Sequence, residues 1–142
     1  MGRLTRDQAV ARLLDGVQAD IQACGAIGAL LERQFQAALR HRAAELGELA
    51  EALMPELDAM EQRRQQRVQL VRAMHGPDAT MDSLLAGLPA AQRTRAAADW
   101  QQLEQLVRDC KEATARNGSL MADQYSVMQR VLHGEDQLYA ER

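Results

Sequence analysis

Aromatic side chains are nearly missing from this 142-residue chain, which holds one Trp, two Tyr and one Phe. Val, Ile and Thr are also too sparse to supply the β-branched residues that strands favour. Lysine is reduced to Lys111 alone among 17 basic residues, an arginine preference that coding bias accounts for. The net charge of −3 carries no basic excess, which argues against a nucleic-acid partner. Cys24 and Cys110 are the only cysteines, and they form no CxxC pair, so the case for a metal or redox centre is weak. Each sits on an apolar helical stripe, where it reads as a small buried hydrophobe in a reducing compartment or as half of a redox disulfide.

Long apolar runs are missing too. The opening residues hold no apolar signal core, and the longest stretch of low polarity, Cys24 to Leu31, falls far short of the roughly 20 residues that span a bilayer. The expectation is a cytoplasmic protein with no direct membrane insertion. Catalytic patterns are absent. His41, His75 and His133 have no Glu three residues before them, so no di-iron pattern arises. Ser83, Ser119 and Ser126 sit in no Gly-flanked elbow, and no Gly-rich loop follows a strand. The reading is a non-enzyme with no catalytic residue, cofactor or metal.

What the chain does have is Ala, Leu, Gln, Arg and Glu in helical rhythm. Its length suits one domain. Thr5 with Gln8 forms a capping-box pattern. Val10, Leu14, Val17, Ile21, Cys24, Gly28, Leu31, Phe35 and Ala38 then recur at steps of three and four, predicting a first helix. Between Ile21 and Leu31 there is no charge, and Gly25, Ala26 and Ala29 leave a smooth side for a close contact within the fold or for self-association. A second stripe runs through Leu46, Leu49, Leu53, Leu57, Met60, Arg64, Val68, Val71 and Met74. Its changed phase places a turn near Arg40–Ala44, although no Gly or Pro marks it. Pro55 predicts a kink or a later helix start. Acids from Glu45 to Glu61 precede Arg63, Arg64, Arg67 and Arg72, an order that suits a solvated face matched to the helix dipole or a docking patch for an acidic partner.

His75-Gly76-Pro77-Asp78 stops that helix. Thr80 or Asp82 caps a short helix holding Leu84, Leu85 and Leu88. Pro89 opens a third long helix, from about Ala90 to Leu132, that Gly134-Glu135-Asp136 ends. Its stripe is Trp100, Leu103, Val107, Cys110, Thr114, Asn117, Met121, Gln124, Met128 and Val131. The fold class is therefore all-α: an antiparallel, coiled-coil-like bundle of three long helices with a short helical connector. Residues 1–134 form a single helical domain, and 135–142 form a flexible C-terminal tail. Late in the third helix, Leu120, Met121, Val127, Met128, Val131 and Leu132 are apolar, while Asn117 and Gln124 interrupt the seam. This is either a coiled-coil end whose amides fix register or a groove for a partner's amphipathic helix.

Several elements resemble the FlgN family of flagellar type III export chaperones. Trp100-Gln101 is followed seventeen residues after the Trp by Asn117-Gly118, then Leu120-Met121 and Gln124. Leu57-Asp58, Met60-Glu61-Gln62 and Arg63-Arg64 are similar to the family's second helix, and Leu138-Tyr139 to its terminal Leu-Tyr pair. Arg40-His41-Arg42 and Pro55 depart from the family pattern. The resemblance implies a carrier that binds the C-terminal amphipathic helices of hook–filament junction proteins, blocks their premature assembly and brings them to the export gate. It places cargo binding at Asn117, Leu120, Met121, Gln124, Val127, Met128, Val131 and Leu132. Docking to the cytoplasmic domain of the gate falls to Leu138 and Tyr139. A self-associating structural adaptor without cargo is the competing reading, and a homo-oligomer stays open in both.

Overall fold

The computed structural model describes residues 4–140, the side chains of residues 139 and 140 excepted. Four helices follow in order: α1 Arg6–Leu39, α2 Ala43–His75, α3 Met81–Ala86 and α4 Ala90–Ala140. The Thr5 capping box forms as the sequence predicts, with the Thr5 hydroxyl accepting from the Gln8 N–H and the Gln8 side chain accepting from the Thr5 N–H. Thr80 and Ser83 repeat the device at the start of α3.

The first turn closes without glycine. His41 takes the left-handed conformation, φ 55°, and the Arg42 N–H returns to the Ala37 carbonyl at 2.9 Å. That left-handed residue is what glycine or asparagine usually supplies after a helix. Its identity as His left the boundary visible only as a change of stripe phase. At Pro55 no break occurs, and α2 runs unbroken from Ala43 to His75.

The central element is α1, which packs against both α2 and α4, while α3 bridges α2 and α4 at the base. Among the described residues, no Cα of α2 comes within 8 Å of one of α4. Because α1 has two neighbours, its buried face is wider than one stripe. Leu13, Asp20 and Ile27 are buried alongside Val10, Val17, Cys24 and Leu31, while Leu14 and Ile21 are only half-buried. The main core lies at the base, where Leu84, Leu85 and Leu88 of the α3 link pack with Leu13, Val17, Val71 and Leu103. A smaller cluster of Ile27, Leu31 and Leu53 lies nearer the first turn.

The smooth side Gly25-Ala26-Ala29 is exposed, and nothing approaches the Cβ position of Gly25 or Gly28 within 4 Å, so it forms no contact within this fold. Gly134 does not end the last helix, and residues 135–140 continue α4 instead of starting a separate tail. In a helix interior Gly costs about 1 kcal/mol relative to Ala, a weak penalty for a helix this long. Among the described residues, no helix is long and apolar enough to cross a membrane.

Candidate functional site

The α1–α4 seam has a strict register. Cys110 Sγ donates to the Cys24 carbonyl at 3.7 Å, Asn117 Nδ2 donates to the Leu31 carbonyl at 2.7 Å, and Gln124 Nε2 donates to the Ala38 carbonyl at 2.9 Å. Each pair is separated by 86 residues, so α1 and α4 run parallel and meet once per heptad. The antiparallel relation of the bundle is that of α2 to the parallel pair α1 and α4.

Both amides are committed to this seam. Asn117 is 1% exposed. Its Nδ2 also donates to Gln34 Oε1 at 2.8 Å, and its Oδ1 accepts from Arg116 Nε at 3.2 Å. Arg116 in turn reaches Glu32 at 3.1 Å and covers the Phe35 ring at 3.9 Å from its centroid. With both Nδ2 hydrogens donated within the chain, its oxygen already accepting and the residue buried, this amide has no donor left for another chain. Asn117 and Gln124 therefore lie at the root of the sequence-predicted site, bonded to α1. The two cysteines face each other across the same seam and are free thiols. Burial first, and Cys110 second, push the Cys24 thiol up to about 11, while burial raises Cys110.

Beyond Gln124, α1 has ended and α4 continues alone. From residue 125 to Ala140 it projects about 24 Å as a single helix. Leu120 and Met121, at the root, are half-buried. Val127, Met128, Val131, Leu132 and Leu138 are between 50% and 58% exposed. Tyr125 is barer still at 62%, and the stripe reading missed it because it lies one residue off the seam. Tyr139 belongs to α4, but its side chain lies outside the described residues. Among the described residues, the arm thus presents apolar side chains that no second helix covers. Such a surface suits binding another helix.

A second feature without a signature in the apolar stripes is a buried ion cluster in the body of the bundle. Asp20 is fully buried, hydrogen-bonded to Arg63 Nε, with Arg67 Nη2 2.9 Å from its other oxygen. The Arg67 guanidinium also lies 5.5 Å from the Trp100 ring centroid, tying α2 to α4. Of the arginines read as a surface patch, Arg63 and Arg67 are spent internally, and Arg64 holds Glu61 at 2.7 Å.

Comparison with known proteins adds one finding. The sequence model of a protein family described as FlgN protein matches residues 1–134. No curated protein and no solved structure matches the chain.

Proposed function

The chain belongs to the FlgN family of flagellar export chaperones, and on that premise we propose that it carries hook–filament junction proteins by holding their C-terminal amphipathic helices against the bare arm of α4. The observation that carries this reading is the row Val127, Met128, Val131 and Leu132, apolar and at least half exposed on the part of α4 that extends past the end of α1. A helix destined to polymerise needs its apolar face covered until secretion, and an unpartnered helical face covers it in kind. Methionine at positions 121 and 128 lets the surface repack around more than one cargo. Nothing in this function calls for catalysis. The exchange takes place in the cytoplasm, and Leu138 with Tyr139 at the tip of the arm docks on the cytoplasmic domain of the export gate.

Co-expression with the junction proteins tests the cargo role. The account expects a soluble complex of fixed stoichiometry. Replacing Met121, Val127 and Met128 by Asp abolishes it, with helicity by circular dichroism kept. A chain that ignores both junction proteins and forms only homo-oligomers is a structural adaptor instead. Tyr139→Ala keeps cargo binding and loses gate binding; equal loss of both refutes the division of labour.

A further inference from the structure

The cleft between α2 and α4 is filled at one end and open at the other. At the base, Met81 and the following apolar residues of the α3 link occupy it, beside a cavity of about 250 Å³ lined by Arg64, Val68 and Trp100 among others. Leu57 lies one heptad before Arg64, and Met54 two heptads before Val68, so both sit on the α2 face that lines this cleft. On α4, Thr114 and Met121 follow Trp100 at two and three heptads and continue the facing wall. Among the described residues, α3 is the only element in contact with both α2 and α4 apart from α1, and it lies at the base. Leu57 is 46% exposed and Met54 57% exposed, far barer than the stripe residues Leu49 and Leu53 of the same helix.

Resting on the carrier reading above, we propose that the cargo seat is two-walled. A partner helix lies between Met54 and Leu57 of α2 and the Met121–Val131 face of α4, doing at the upper end of the cleft what α3 does at the lower. Charge specifies the partner further. From Ala43 to Gln62, α2 carries six acidic residues and no basic one. Among the described residues, Glu48, Glu51, Glu56 and Asp58 make no salt bridge, whereas Glu45 and Glu61 pair with arginines. Glu135 and Asp136 outnumber Arg130 along the arm, and Asp123 lies just below its root. The occupant is therefore an amphipathic helix whose apolar stripe is flanked by Lys or Arg. A second copy of this chain would bring an acidic arm against an acidic wall, which disfavours it as the occupant.

The test is calorimetric titration of the full chain with two synthetic helical peptides of about 18 residues, a length of about 27 Å that spans the seat. Both carry Leu at alternating three- and four-residue steps, one with Lys flanks and one with Glu flanks. The Lys-flanked peptide binds at least tenfold tighter, and 0.5 M salt narrows the gap. The double variant Met54→Gln, Leu57→Gln, at exposed positions that leave the fold intact by circular dichroism, weakens that binding at least fivefold. Val131→Asp on the arm weakens it as well. If the α2 double variant binds like wild type while Val131→Asp loses binding, the second wall is overturned and the arm reading stands. If Val131→Asp binds like wild type while the α2 variant fails, the arm reading is the one that falls. Equal affinity for both peptides, or no binding of either, overturns the proposed partner chemistry. A dimer by sedimentation that the α2 variant splits into monomers makes the occupant a second copy and overturns it too.

Discussion

At the scale of single residues, Asp20 carries the largest stake. Its carboxylate is wholly buried and depends on Arg63 and Arg67. Removing one member of a buried ion pair leaves uncompensated charge, so Asp20→Ala is expected to cost about 3–5 kcal/mol in urea denaturation. The triple change Asp20→Leu, Arg63→Met, Arg67→Met recovers most of that loss, because apolar replacement of a whole buried cluster is close to neutral or better. Asp20 was legible in principle, since it stands three residues after Val17 and four before Cys24 on a core ridge. The single-stripe reading followed Ile21 instead, because one stripe describes a helix with one neighbour and α1 has two. Asn117 was legible as an anomaly on the seam; its partner, a backbone carbonyl of α1, has no signature in sequence. Cys24 gives a pH prediction. Its thiol is raised from 9.0 to about 11 in the fold, so the unfolded chain releases that proton first. The contribution is fully present below pH 9 and is lost as pH rises through about 11. The fall in unfolding free energy between pH 8 and pH 10.5 is therefore smaller in Cys24→Ala than in wild type.

At the scale of elements, the helices were the most legible part. Steps of three and four, the Thr5 box and the Gly76-Pro77 stop located the start of α1, the run of the long helices and the end of α2. The turn near Arg40–Ala44 falls where the change of stripe phase placed it, though without a local signal, and Pro55 does not start the helix later, each for a physical reason. The turn at Arg40–Arg42 relies on His41 in a conformation that costs an L-residue about 1–2 kcal/mol, so no composition signal marks it. His41→Gly removes that strain, and thermal unfolding should shift upward by the equivalent of about 0.5–1 kcal/mol after glycine's own entropy is discounted. Pro55 withholds one backbone hydrogen bond inside an uninterrupted helix. Restoring it with Pro55→Ala should stabilise the chain by about 1–3 kcal/mol, visible as a higher denaturation midpoint. An unchanged or lower midpoint would mean that α2 follows a bend which the packing on α1 requires. Gly134-Glu135-Asp136 has the sequence of a helix stop, whereas a helix that already extends from Ala90 passes a glycine at modest cost.

At the scale of the whole molecule, length mismatch makes the bare arm that the proposed cargo site uses. With α1 of 34 residues and α4 of 51 residues held in parallel register, the seam outlasts its partner helix. The sequence showed that the late helix is apolar; only the register shows where its cover ends, just past Gln124. A lone projecting helix of this length is marginal in water and gains both order and burial when a second helix joins it. Amide hydrogen exchange of the full chain, with and without a junction protein's C-terminal segment, measures this most directly. The account predicts fast exchange across residues 125–138 in the free protein and protection concentrated there on binding, with the base of the bundle unchanged. Protection that falls on the α1–α2–α4 base while the arm exchanges as before would contradict it.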